Sequence, residues 1–459
     1  MTAQSMLENA GFAGELLTPG DATYDEARSI FNAMVDRRPS IIARCATTSD
    51  VVAAVNAARD SKLPLSVLGG GHAVTGAGLI DDGICIDLRN LDGVTVDEVA
   101  RVAQVGGGCR WGAFDAATQE HGLAVTGGRV SSTGVGGLTL GSGSGWLERK
   151  FGFACDNLLS CEVVTANGSV VTASNSENAD LFWALRGGGG NFGVVTEFTF
   201  QVHPVGPMML AGLLVYPAPM AADVAKHWRD FMSTASNEVA SGLAFITAPP
   251  LDFVPEPARG QPVLGVVVLY VGDIDEGRQV LAPLLEYGPP AVNLVQPMPY
   301  VAVQQLIDEA NPPGRLNYWT ADFLAELPDK AIDELVELAA RPVSPFTQLL
   351  LVAGGGAIAE VDDNATAFGQ RDAPWNVHWL SAWEDEADSE RNIAYTREVA
   401  AAMKPWTTGK VYLNYIGEEG SERVASSFGP EKYARLRQIK KVWDPTNLFS
   451  QNQNIPPAD

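Results

Sequence analysis

Leu63-Pro64-Leu65-Ser66-Val67-Leu68-Gly69-Gly70-Gly71-His72-Ala73-Val74-Thr75-Gly76 is the stretch on which the reading of this chain turns. A strand-like run passes into three glycines, a histidine and, four residues on, another glycine. Glycine has no Cβ, so its backbone takes positive φ and can approach a ligand closely. Consecutive exposed N–H groups in such a loop form a nest for phosphate. A histidine directly after the nest stands beside whatever the phosphates belong to. Alone, the motif reads first as a Gly-rich turn followed by a satisfied histidine.

At 459 residues the chain is too long for one ordinary core, which predicts two domains. Hydrophobic residues make up 46% and charged residues 19%, a globular composition. A net charge of −24 argues against nucleic acid or an anionic membrane as partner. No apolar run approaches membrane-spanning length, and residues 1–15 do not read as a signal peptide. The five cysteines form no CxxC pair, so free thiols and a cytoplasmic location are expected. The five histidines have no metal-ligand spacing, and no metal site is expected. Neither a GxSxG elbow nor a GxxxxGK[ST] loop occurs.

Working outward from the loop, the pattern predicts a helix over 22–36, a strand over 38–45 and a helix over 51–60. Strands are expected over 83–88, 94–96 and 101–105, then a helix to 120. A second Gly-rich block, 125–146, interleaves Val, Leu and Trp, which a flexible linker would lack. Its small residues let backbone lie flat against a large rigid ligand. A hairpin turned at Ala166-Asn167-Gly168, a helix over 180–185 and a strand through Val202 follow. His203-Pro204-Val205-Gly206-Pro207 breaks the composition. Beyond it, amphipathic helices alternate with strands, among them 318–323, 348–352 and 376–382. The fold class is α+β, with residues 1–205 and 410–459 as one discontinuous domain and 206–409 inserted as a domain with a helix-covered antiparallel sheet. A strand over 411–415 and a helix over 430–443, with Tyr433, Leu436, Ile439 and Val442 on one face, close the chain.

Six blocks in order carry a family resemblance. They are Gly69-Gly70-Gly71-His72, Gly134-Val135-Gly136-Gly137, Phe151-Gly152-Phe153-Ala154-Cys155-Asp156-Asn157, Arg186 to Val195, Tyr412-Leu413-Asn414-Tyr415 and Asn452-Gln453-Asn454-Ile455. Together they resemble the berberine-bridge-enzyme-like FAD-linked oxidases of the vanillyl-alcohol-oxidase and p-cresol-methylhydroxylase superfamily, and the bacterial 6-hydroxynicotine-oxidase-like members above all. The resemblance implies a bipartite FAD-binding domain of the p-cresol-methylhydroxylase type with an inserted substrate domain. It implies FAD as cofactor, linked covalently through His72, with Gly69, Gly70, Gly71 and Gly76 around the pyrophosphate. Thr133, Gly134, Gly136, Gly137, Gly193, Val195, Asn414, Asn452 and Asn454 are the other expected cofactor contacts.

Three departures from the family pattern matter. The position of a second, cysteinyl flavin link holds Val130, so a single covalent link is expected. An arginine often precedes the glycines, and Leu68 stands there. The family's gate for oxygen holds Thr133, close in shape to the valine that accompanies oxygen use.

The implied chemistry is hydride loss from a substrate C–H bond to flavin N5 while a base takes a proton from O–H or N–H. Dioxygen would then reoxidise the flavin to give hydrogen peroxide. His378 and Tyr412 are the candidate catalytic bases. Period-two alternation puts Asn376, His378 and Leu380 on one strand face and Trp375, Val377, Trp379 and Ser381 on the other. Tyr318, Asn376 and Tyr415 are the expected substrate contacts, and a small alcohol or amine is the expected substrate. A flavin dehydrogenase with another acceptor, an oxidase of a carbohydrate and a flavin-loaded binding protein remain as alternatives.

Overall fold

A computed structural model describes residues 2–252 and 254–459. The histidine loop leaves a four-stranded sheet ordered Glu15–Leu17, Ile41–Arg44, Ile84–Asp87, Leu65–Leu68, whose last three strands are parallel. Helix Thr48–Ser61 makes the crossover. Thr47 and Asp50 close a reciprocal capping box at its start, and Lys62 ends it at φ 57°. A five-stranded antiparallel sheet follows, with Val194–Gln201 at its centre between Val102–Gly106 and Leu158–Val164.

Residues 208–383 contribute an eight-stranded antiparallel sheet. Alternation decides what each face does. Trp375, Val377, Trp379, Leu349 and Leu351 point to helices Ala221–Met232, Asp329–Ala339 and Ser389–Met403, which bury Trp228, Ile332, Leu335 and Val399 against them. Burying each such side chain contributes roughly 1.5–3 kcal/mol. The opposite face carries Leu350 opposite His378 and Trp319 opposite Leu380, and these four residues line a cavity.

The C-terminal segment returns to the first half of the chain. Lys440 and Asp444, both fully buried, pair at 2.7 Å at the end of helix Pro430–Trp443. Lys440 Nζ also donates to the carbonyls of Asn191 and Phe449. Asn191 accepts from the Ile455 N–H and donates to the Gln453 carbonyl, so the tail lies against the glycine turn 187–193.

Several local expectations are corrected. Of the helix over 22–36 only Tyr24–Ala27 is helical. Asn32 donates to the carbonyls of Val74 and Asn317, and these tertiary bonds replace a helical ladder. Residues 411–415 are not a strand but lead into the 3-10 turn Leu413–Tyr415, closed by Tyr415 N–H to the Tyr412 carbonyl. In helix Pro430–Trp443 the buried face is Lys432, Leu436, Ile439 and Lys440, whereas Val442 is 68% exposed. The Gly-rich block holds a short helix, Val135–Leu140, and helix Ser421–Phe428 lies where no element was expected.

Candidate functional site

A cavity lies between the glycine loops and the His378 face of the large sheet. On the loop side it is lined by Gly69, Gly70, Gly71, His72, Thr133, Gly134, Gly136, Gly137, Gly193, Val195, Asn414 and Asn452. On the sheet side stand Trp319, Leu350, Val352, His378 and Leu380, with Tyr415 beside them. Glycine is needed where the loops meet. A Cβ on Gly70 would lie 2.2 Å from the Gly134 nitrogen, so the two backbones touch directly. A Cβ on Gly137 would meet nothing within 4 Å. These Cβ-free walls and their backbone N–H groups fit a long, flat ligand bearing phosphates. No group of three or more His, Cys, Asp or Glu suited to a metal ion occurs among the described residues.

Gly76 and Asn454 fall outside this lining. Gly76 sits at φ 71°, and a Cβ there would meet Val35 at 2.6 Å. Its carbonyl accepts from Arg37. Gly76 therefore shapes the turn behind the loop.

His72 is half-buried. Its Nε2 is 2.8 Å from Ser132 Oγ, and Phe31 stacks on the ring at 4.4 Å. Burial, reinforced by Arg110, pushes its pKa down to about 4, so the imidazole is neutral at ordinary pH.

On the sheet side, register separates neighbours in sequence. Trp319 pairs with Leu380 and faces the cavity, while Tyr318 pairs with Ser381 and faces away. The Tyr318 hydroxyl accepts from Arg397 Nε at 3.2 Å, so Tyr318, expected as a substrate contact, lies off the cavity that Trp319 lines. His378 is buried, with Nε2 lacking a partner. Burial, aided by Arg129, lowers its pKa to about 3. The ring lies flat on Tyr415, centroids 4.2 Å apart, and edge-on to Trp319 at 5.0 Å.

Tyr412 sits one layer behind. Its oxygen accepts from the N–H groups of Gly143 (3.1 Å) and Ser144 (2.8 Å) and from Asn414 Nδ2 (3.1 Å). Burial still pushes its acidity well below that of a free phenol. Tyr412 and Asn376 do not line the main cavity. Both border a smaller one that reaches Tyr415 and Glu148.

Residues not singled out beforehand complete the site. Arg129 Nη1 donates to Tyr415 Oη at 3.1 Å and Ser144 Oγ at 2.9 Å, and Nη2 pairs with Glu148 at 2.8 Å. Glu148 also accepts from Ser144 Oγ at 2.5 Å. Arg129 stands inside the Gly-rich block, and a lone charge among glycines was the available signal. Nothing local marks Glu148.

Comparison with known proteins agrees with this geometry. Residues 39–174 match the family described as "FAD binding domain", and residues 411–456 match "Berberine and berberine like". The chain is 32% identical to (R)-6-hydroxynicotine oxidase of Paenarthrobacter nicotinovorans, over 97% of each chain. It is 31% identical to an FAD-linked oxidoreductase of Dictyostelium discoideum, over 93% of this chain and 91% of the other. Among solved structures, 6-hydroxy-D-nicotine oxidase from Arthrobacter nicotinovorans superposes with a TM-score of 0.89 at 30% identity, covering 98% of this chain and 99% of that one.

Proposed function

The chain belongs to the berberine-bridge-enzyme-like FAD-linked oxidoreductases, and we propose that it is an oxidase of a small, ring-bearing alcohol or amine. FAD supplies the two-electron acceptor for the hydride of a substrate C–H bond. The glycine loops and the Asn452 tail would hold it, with His72 as the single covalent link because Val130 offers no thiol. The observation that carries the substrate class is the cavity's sheet side. Trp319, His378, Leu350 and Tyr415 make a flat, mostly apolar wall, and Arg129 beside it is neutralised by Glu148. Such a wall favours an uncharged planar group over a long polar chain. A relative named for 6-hydroxynicotine supports the same class.

His378, neutral at ordinary pH, accepts the hydrogen bond from the substrate's O–H or N–H and receives its proton in step with hydride loss. Burial and Arg129 make that proton weakly held, so it passes on once product leaves. Tyr412 holds the Gly143–Ser144 backbone behind the site, and Asn376 borders the smaller cavity next to it. Thr133 at the cavity wall supports dioxygen as the electron acceptor by its likeness in shape to valine. A panel of cyclic alcohols, amines and oligosaccharides tests the reading. Substrate-dependent oxygen consumption with peroxide release is the expected outcome for the cyclic compounds. Anaerobic flavin bleaching without oxygen consumption would make the protein a dehydrogenase, and turnover of oligosaccharides alone would refute the compact-substrate reading.

A further inference from the structure

Two contacts hold the His72 ring, neither of them from its own loop. Ser132 Oγ sits 2.8 Å from Nε2. Phe31 covers one ring face and is tied on both sides of the histidine, by its own N–H to the Gly71 carbonyl and by Asn32 to the Val74 carbonyl. The Ser132 turn is fixed from across the cavity, because Asp308 accepts from Ser131 N–H at 2.9 Å and from its hydroxyl at 2.5 Å. The hydroxyl that meets the imidazole is thus on a braced turn and not a free rotor.

We propose that Ser132 is the positioning residue for covalent attachment of the flavin to His72. The inference rests on the covalent reading above. Engaging Nε2 leaves the lone pair on Nδ1 as the nucleophile, and the neutral state of the ring keeps that pair available. A bond forms between Nδ1 and the flavin methyl carbon, and one methyl C–H breaks. The two electrons of that oxidation pass to dioxygen. The methyl hydrogen and the imidazole N–H proton complete hydrogen peroxide. A hydroxyl suits both ends of this step. It accepts from Nε2–H before the bond forms, and it donates to the bare Nε2 lone pair afterwards. Phe31 restricts ring rotation about the same axis.

The experiment uses full-length apoprotein from flavin-starved cells, reconstituted with saturating FAD in air. Covalent flavin is read as the fraction retained on acid-precipitated protein and as flavin fluorescence in denaturing gels, so no substrate is needed. Ser132→Ala should slow attachment by about ten-fold or more, and Ser132→Thr should restore it to near the wild-type rate. Total bound FAD before acid checks that the variants still load cofactor. Where Ser132→Ala takes up no FAD, Ser132→Cys carries the same comparison, since a thiol keeps the volume and hydrogen-bonds weakly. Attachment in the Ala or Cys variant at the wild-type rate overturns the role of Ser132 alone. Wild-type protein that releases its flavin in acid overturns the covalent reading beneath it.

Discussion

The imidazole of His378 lies parallel to the phenol of Tyr415, with 3° between the planes and 4.2 Å between the centroids. Tyr415 in turn accepts from Arg129. Face-on contact with one ring and edge-on contact with Trp319 hold the histidine without any hydrogen bond to Nε2. His378→Gln should therefore load FAD normally and slow anaerobic flavin reduction by about 10²-fold or more, the usual range for a proton-transfer group. Stopped-flow reduction against total flavin content checks it, and an unchanged rate would remove His378 from the chemistry.

The same two depressed histidines predict acid sensitivity. His72 and His378 titrate near 4 and 3 when folded, against about 6.5 unfolded. Above about pH 6.5 both states are neutral and the stability is fully present. As pH falls below that value the unfolded chain binds protons that the folded one refuses, costing up to about 1.4 kcal/mol per pH unit for each histidine. Melting temperature should drop less between pH 7 and pH 5 in His378→Gln than in the wild type.

Asp115 works in the opposite direction. It is buried, Gln304 Nε2 is the donor it accepts from at 2.8 Å, and burial raises its pKa to about 7. Its unfolded value is about 3.9, so the carboxyl's contribution to stability is lost as pH rises through about 7. Asp115→Asn should melt higher than wild type at pH 8.5 and show little gain at pH 5. Paired thermal scans at the two pH values decide it.

Gly70 and Gly137 separate folding from cofactor binding. Gly70→Ala puts a Cβ 2.2 Å from backbone and should yield little folded protein. Gly137→Ala meets no protein atom within 4 Å and lies in helix Val135–Leu140, where alanine is favoured by about 1 kcal/mol. It should fold and bind FAD more weakly, as flavin titration of the apoprotein would show.

Trp319→Ala should raise KM for the substrate, whereas Tyr318→Phe should leave it unchanged, because only the tryptophan faces the cavity. Equal effects from the two variants would mean that the sheet register does not set the substrate wall.

Order of motifs along the chain determined most of the fold by itself. Gly69 to His72, the block at 134–137 and the segment at 186–195 need particular backbone freedom, and that need is visible residue by residue. Alternation along 375–383 likewise separated the buried tryptophans from His378 before any coordinates, since a strand's period is local. Tertiary structure alone decided which side chains meet. Residues 31–33 form a tie and not a helix because Asn32 finds Val74 and Asn317. Tyr415, and not Tyr412, faces the cavity because a 3-10 turn replaces a strand there. Arg129 found Glu148 and Tyr415, and His72 found Ser132. Those partners are set by how separate loops pack, and that packing leaves no periodic trace in the residues themselves. The histidine loop was legible from the first, but the serine that aims it was not.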